Sequence, residues 1–371
     1  MNPAEDLLAH KNLFRKLLRE WYLRNHRPLP WRKKPSLYKT VVSEFMLQQT
    51  QVVTVVPYFL RWMKELPSFT QLAKAPADKV LKLWEGLGYY SRARNLQSLA
   101  RSVVKTRKIP KDVTSWQTLP GVGPYTASAI ASIAFDTPAA VVDGNVVRVL
   151  SRLSAHDGVF ESSSQAVKYF SKMSRALLNR REPGNHNQAV MELGATVCLR
   201  RKPLCLLCPV RRLCGAYRSG NPEMFPSLTH KQTKQLTVER LWVLRGSDLL
   251  LERIPETAKR LAQIYELPRK EAVGPFAENP TLLAVKSRAI SNQQIEERIY
   301  AYESQLAGPL GNAAPNGLKW VALSQLDSVV ISGPHRRWIT ELLDRPKTAD
   351  STTEASHWKK SAFGRGISRS R

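Results

Sequence analysis

Leu119-Pro120-Gly121-Val122-Gly123-Pro124-Tyr125-Thr126, then the small apolar run Ala127-Ser-Ala-Ile-Ala-Ser-Ile-Ala-Phe135, then Val141-Val142-Asp143-Gly144-Asn145, form one continuous stretch of the chain. A Pro and two glycines one residue apart, followed at once by a helix, predict a tight hairpin whose backbone N–H groups of Gly121, Val122 and Gly123 face outward without side chains in the way. Such a hairpin grips a phosphate and reads no sequence; it also serves as a plain turn. The helix after it is apolar on all sides, which predicts burial and fixes where the next loop emerges. That loop delivers Asp143. Ahead of Gly-Asn and a Val-rich helix, Asp143 reads as an N-cap, and equally as a carboxylate presented beside the hairpin. The two readings are compatible.

Working outward toward the start, Leu8, Leu13/Phe14, Leu17/Leu18 and Trp21/Tyr22 predict a helix with one buried face over about Glu5 to Asn25. Arg27-Pro28-Leu29-Pro30-Trp31-Arg32 is an extended, helix-breaking segment that sets Trp31 among cations, as a base-stacking platform or a core plug. A helix from Ser36 places Glu44 among Val41, Val42, Phe45, Met46 and Leu47. A carboxyl in that company is partly desolvated, and its raised pKa leaves it able to donate a proton near neutral pH; the alternative is an acid on a solvated outer face. Gln48-Gln49-Thr50-Gln51 offers amides for base edges or a polar helix end. Gly86-Leu87-Gly88-Tyr89-Tyr90-Ser91-Arg92 is a glycine-hinged turn showing an apolar and an aromatic residue beside arginine, a wedge for a base stack or a core insert.

Toward the end, all four cysteines fall within one short loop, Cys198, Cys205, Cys208 and Cys214, with six, two and five residues between them. Structural zinc sites pair two close knuckles about a longer gap. One close pair in one compact loop suits a cubane [4Fe–4S] cluster instead. Arg200, Arg201, Lys202, Arg211 and Arg212 crowd the same loop and add charge toward phosphates.

The chain holds 57 Lys and Arg against 30 Asp and Glu in 371 residues, a net charge of +27. Residues 345–371 contribute seven basic and two acidic residues, so +22 of that +27 belongs to the rest. This points to a polyanionic partner, nucleic acid before membrane. No apolar run nears the ~20 residues of a membrane span. Glu5 and Asp6 precede an amphipathic helix in place of a leader's apolar region, which predicts an intracellular, cytoplasmic protein. From Gly220 to about Leu236 composition turns to Pro, Ser, Thr, Lys and Gln, the mark of a linker. Beyond it the period changes to alternation. A hairpin at Leu241 to Arg253, strand-like runs at Thr281 to Val285, Ile299 to Tyr302 and Trp320 to Leu323, and a helix near Arg337 to Leu343 predict an α+β domain. The polar, basic end is expected to be disordered.

With these residues assembled, the first ~225 positions resemble the helix-hairpin-helix DNA glycosylases that carry an iron–sulfur cluster, and among them the adenine DNA glycosylases. The resemblance rests on Leu29-Pro-Trp-Arg32, Ser43-Glu-Phe-Met-Leu-Gln-Gln-Thr-Gln51, Gly86-Leu-Gly-Tyr-Tyr90, Leu119-Pro-Gly-Val-Gly123, Val142-Asp-Gly-Asn-Val-Val-Arg148 and the four cysteines. It implies an all-α fold of two helical subdomains plus a [4Fe–4S] loop (198–214), followed by an α+β Nudix-like domain. The expected division is 1–225 catalytic, 226–236 linker, 237–344 lesion recognition and 345–371 tail.

The resemblance further implies a monomer that acts on double-stranded DNA holding A·8-oxoguanine or A·G mispairs, flips the adenine out and hydrolyses its glycosidic bond to begin base-excision repair. Glu44 would protonate the departing base and Asp143 would stabilise the sugar cation. Tyr125 and Asn145 match residues that orient the sugar. Arg27, Leu29, Trp31, Arg32 and Gln188 match the adenine pocket, and Gln49, Thr50, Leu87 and Tyr89 match residues around the lesion. Tyr125 stands where the related pyrimidine-specific enzymes carry a Schiff-base lysine, so a monofunctional enzyme is expected. In the second domain no Nudix box is present, and Ile290-Ser291-Asn292 replaces the family's Phe-Ser-His lesion-checking turn, keeping Ser291. The competing readings are a mismatch glycosylase of altered base specificity and a non-catalytic iron–sulfur DNA-binding protein.

Overall fold

The computed structural model describes residues 2–229, 233–258, 260–273, 281–290, 292–302 and 317–344. The chain divides into two compact units, Met1–Leu83 with Ser91–Lys231, and Trp84–Tyr90 with Gln232–Arg371.

The first unit is built from helices α1 (Pro3–Ala9), α2 (Lys11–Asn25), α3 (Leu37–Leu47), α4 (Val52–Glu65), α5 (Phe69–Lys74), α6 (Ala77–Trp84), α7 (Ser91–Thr106), α8 (Val113–Gln117), α9 (Pro124–Phe135), α10 (Gly144–Ser154), α11 (Ser163–Leu177), α12 (Pro183–Thr196) and α13 (Gly215–Arg218). The single helix expected over residues 5–25 is two. His10 ends α1 by donating its backbone N–H to Asp6, and α2 restarts to bury Phe14, Leu18 and Tyr22 on one stripe. Helix α3 begins at Ser36, whose hydroxyl accepts the Lys39 N–H. Its flank is apolar almost all round, so it packs between neighbours with Val41, Val42, Phe45 and Met46 all buried.

Helix α12 passes through the main core and packs on α2, α9 and α10. Its glycine at Gly194 permits this, because a Cβ there would come within 2.7 Å of Asn145 Cβ. Asn187 of α12, fully buried, accepts the Val141 N–H and donates to Ala139 O at 2.7 Å and Ser132 Oγ at 2.8 Å. These bonds satisfy the loop's buried polar groups and hold in place the segment leading to Asp143.

The stretch expected as linker, 226–236, carries ordered elements at both ends. Strand β2 (Ser227–Leu228) pairs in parallel with β1 (Val159–Phe160), and Lys234–Leu236 already belong to β3 (Lys234–Arg245). In the second unit β3 turns back into β4 (Asp248–Arg253), and the sheet continues with β5 (Tyr265–Glu266), β6 (Thr281–Ile290), β7 (Gln293–Tyr302) and β8 (Leu318–Ala322). The order is β5-β4-β3-β7-β6 with β8 on β4; β3 and β7 run parallel and the other pairs antiparallel. Helices α14 (Lys270–Val273) and α15 (Gly333–Leu343) complete an α+β unit. Apolar residues on opposite sides of β3, Trp242 on one and Leu241 and Val243 on the other, feed two clusters, as alternation along a doubly covered strand requires. The expected disordered tail, 345–371, lies outside the described residues.

Candidate active site

Arg27, Leu29, Trp31, Arg32, Glu44, Gln49, Thr50, Gly123, Tyr125, Asp143, Asn145 and Gln188 line one cleft of about 1380 Å³ in the first unit. Leu87 and Tyr89 belong to the second unit, Leu87 buried and Tyr89 exposed with a left-handed backbone. Ser291 lies outside the described residues; Ile290, the last residue of β6, pairs with Gln293, the first of β7.

Glu44 sits on α3 with 7% of its surface exposed. Burial pushes its pKa up to about 7, with the nearby Asp143 charge adding to the rise and the Tyr125 hydroxyl and Arg32 opposing it. A carboxyl so placed holds its proton near neutral pH and can give it to a group entering the cleft. Tyr125, at the start of α9, lies beside Glu44 and also donates its hydroxyl to Met191 Sδ at 3.1 Å.

Asp143 is the N-cap of α10, accepting the Val146 N–H on Oδ1 at 2.7 Å. Its other oxygen accepts from Asn145 Nδ2 at 3.0 Å. Burial raises its pKa too, against these donors and the Arg148 charge, which favour the anion. Arg148 in turn holds Asn145 Oδ1 at 2.9 Å and the Cys198 carbonyl at 2.8 Å. Structural cap and cleft-facing carboxylate are one and the same group.

A second cluster lining the cleft turns on Glu192, which sequence reasoning missed. Its buried carboxylate takes Arg27 Nε at 2.6 Å and Arg32 Nη2 at 3.0 Å. Against the burial that would raise it, the two guanidiniums pull its pKa down to about 2. Arg32 Nε also donates to Gln188 Oε1 at 3.2 Å, one helical turn before Glu192. The signal was available: Glu192 follows Ala189-Val190-Met191 as Glu44 follows Val41-Val42-Ser43, an acid in apolar helical company. Trp31 packs edge-on against Phe59 at 5.2 Å and Leu29 is buried, so both plug the core while showing an edge to the cleft.

In the hairpin the Val122 N–H turns inward onto Leu119 O at 3.2 Å, contrary to the outward donor expected. Gly121 has φ +74°, and a Cβ there would meet Asn95 Cβ at 2.6 Å. Gly123 opens α9 without a side-chain cap, with Pro124 next, and has open space where a Cβ would lie. That leaves a helix N-terminus unobstructed for an anion.

The four cysteines are half-buried, and Cys198, Cys208 and Cys214 pack against the main core. Among the described residues no three potential ligands approach closely enough for a single metal ion. Burial pushes Cys208 up to about 12 and Cys214 up to about 11, with the other thiols' charges adding to the rise. Four thiols on one short loop are the donor set that a [4Fe–4S] cluster uses. No helix among the described residues is long and apolar enough to cross a membrane.

Residues 42–180 match the HhH-GPD superfamily base excision DNA repair protein family. Over 222 residues the chain is 48% identical to an adenine DNA glycosylase of Rattus norvegicus, covering 57% of this chain and 43% of that protein. It is 40% identical over 247 residues to one of Schizosaccharomyces pombe, covering 59% of this chain and 53% of the relative. The chain thus spans about half the length of these curated relatives. Among solved structures, a thermostable thymine-DNA glycosylase aligns with a TM-score of 0.50 at 26% identity, covering 57% of this chain and 98% of that one. The helical first unit therefore has the helix-hairpin-helix glycosylase fold, followed by a separate α+β unit.

Proposed function

We infer that the chain is a MutY-type adenine DNA glycosylase, a monofunctional enzyme that removes adenine mispaired with 8-oxoguanine or guanine in double-stranded DNA. The observation that carries this reading is the placing of Glu44 and Asp143 in one cleft that the Arg27–Glu192–Arg32–Gln188 cluster also lines. Flipping supplies the base to the cleft, since its glycosidic bond is out of reach inside the stack. The Arg32 and Gln188 groups hydrogen-bond the base edge. Glu44, protonated near neutral pH, gives its proton to the departing adenine as the C–N bonding pair leaves with the base. Asp143 faces the cationic sugar that remains, Tyr125 and Asn145 orient it, and water completes the hydrolysis. Tyr125 offers no amine, so no Schiff base forms and the strand stays intact.

The hairpin at Gly121 to Gly123 grips the backbone. Gln49 and Thr50 contact the opposite base, and Leu87, Tyr89 and Ser291 are the second unit's candidates for contacts around the lesion. Cys198, Cys205, Cys208 and Cys214 would hold a [4Fe–4S] cluster, which when bound cross-links the basic loop into one rigid piece. In this reading 1–225 is the catalytic part and 237–344 the recognition part of a monomer.

Single-turnover adenine release from duplexes holding A·8-oxoguanine, A·G and A·T, at one salt concentration, tests the proposal. Release from the first two and none from the third is expected. No release from any duplex overturns it. Equal rates on the first two leave the chemistry standing and remove lesion checking from the second unit.

A further inference from the structure

Arg152 lies on α10 with only 2% of its surface exposed. Its guanidinium donates to Phe225 O at 3.2 Å, Leu199 O at 2.6 Å and Arg200 O at 3.0 Å, and Nη1 reaches Cys198 Sγ at 3.3 Å. Among the described residues no Asp or Glu carboxylate pairs with it, whereas Arg240, also deeply buried, has Glu266 and Glu297. A buried cation without a counter-anion is strongly unfavourable. Carbonyl dipoles satisfy its hydrogens but do not neutralise its charge. The one sulfur its guanidinium touches among the described residues is Cys198 Sγ.

Cys214 differs from Cys198. Cys214 Sγ donates to the backbone carbonyl of Arg152 at 3.4 Å. Cys198 takes a charged side chain instead.

We propose that Arg152 is a positioning and tuning residue for the iron–sulfur cluster: it supplies the N–H···S bond and the buried counter-charge to the Cys198 ligand, and thereby raises the cluster's reduction potential. This rests on reading the cysteine loop as a [4Fe–4S] site. A hydrogen bond to a ligand sulfur and a nearby positive charge both favour the form carrying the extra electron. Through the Leu199 and Arg200 carbonyls the same side chain ties the start of the loop to α10, and through Phe225 O the segment after it, so Cys198 is oriented before any iron arrives.

The test uses the full chain. Iron and acid-labile sulfide are first measured in the unchanged protein; their absence overturns the cluster reading itself. With the cluster present, reduction potentials are compared by protein-film voltammetry for the unchanged chain, Arg152→Gln, Arg152→Lys and Arg201→Gln. Arg201 is an exposed cation of the same loop and serves as the charge control. A fall in potential for Arg152→Gln, a smaller one for Arg152→Lys and none for Arg201→Gln is expected. An unmoved potential in Arg152→Gln, or an equal fall in Arg201→Gln, overturns the proposal. Should the Arg152 variants fail to hold a cluster, the unchanged protein with isotopically labelled arginine nitrogen decides, its cluster poised in a paramagnetic state for pulsed electron resonance. Nitrogen coupling to the cluster supports the proposal, and its absence overturns it.

Discussion

Asn145 Nδ2 and the Val146 N–H hold the two oxygens of Asp143 at 3.0 and 2.7 Å, so the carboxylate that faces the cleft is also the cap of α10. Asp143→Asn separates the two roles, because asparagine caps a helix about as well as aspartate. The melting temperature should barely move. Base release in single turnover should fall at least ~100-fold, the scale of losing one electrostatic stabiliser of a transition state. Duplex affinity, measured by gel shift, should persist, since backbone contacts lie elsewhere. A parallel loss of affinity and release would reduce Asp143 to its capping role.

Glu44 ties stability to pH with a definite sign. Its pKa rises from an ordinary 4.5 to about 7 on folding, so between these values the folded chain binds more protons than the unfolded one. Stability from this group therefore falls as pH rises through that window, by up to about 3 kcal/mol above it. Glu44→Gln should lose this component of the pH dependence in urea melts, and should lose base release at every pH. In the unchanged protein release should decline above pH about 7 as the donor ionises.

Much of this was legible along the chain, for local reasons. Glu44 stands among Val41, Val42, Phe45 and Met46, and packing those residues buries it. Gly123-Pro124 marks a helix start because the first N–H groups of a helix have no partners within it. What escaped depends on distant partners. Asn187 bonds Val141 across 46 residues, and no local pattern announces that its amide fixes the Asp143 loop. The break at His10 turns on a capping bond within a pattern whose apolar spacing runs on past it. The pairing of Ser227–Leu228 with Val159–Phe160 sits in a polar stretch where composition alone reads as linker.

Glu192 carries a prediction that its long-range pairs make possible. Glu192→Gln leaves Arg27 and Arg32 without their shared anion, Arg32 mostly buried and Arg27 about one third exposed. Breaking a buried pair by removing one partner costs several kcal/mol. Solvent around Arg27 reduces that here to about 2 kcal/mol in urea unfolding. Because Arg32 also holds Gln188, adenine release should slow as well, and a variant with unchanged stability and unchanged release would remove Glu192 from the pocket wall.

The two glycines of the hairpin should respond differently to one added methyl group. Gly121 has a left-handed backbone and Asn95 Cβ only 2.6 Å from where its own Cβ would sit, so Gly121→Ala must displace either the hairpin or α7. A loss of about 1–3 kcal/mol in thermal or urea unfolding is expected, with DNA affinity falling alongside. Gly123 has φ −83° and open space around it, so Gly123→Ala should leave the melting temperature almost unchanged. If the α9 N-terminus receives a DNA phosphate, that methyl stands in the phosphate's approach. Affinity should then drop for matched and mismatched duplexes alike, because a phosphate contact carries no sequence information. Unchanged affinity in a folded Gly123→Ala protein would show that the hairpin is a turn and the backbone is held elsewhere.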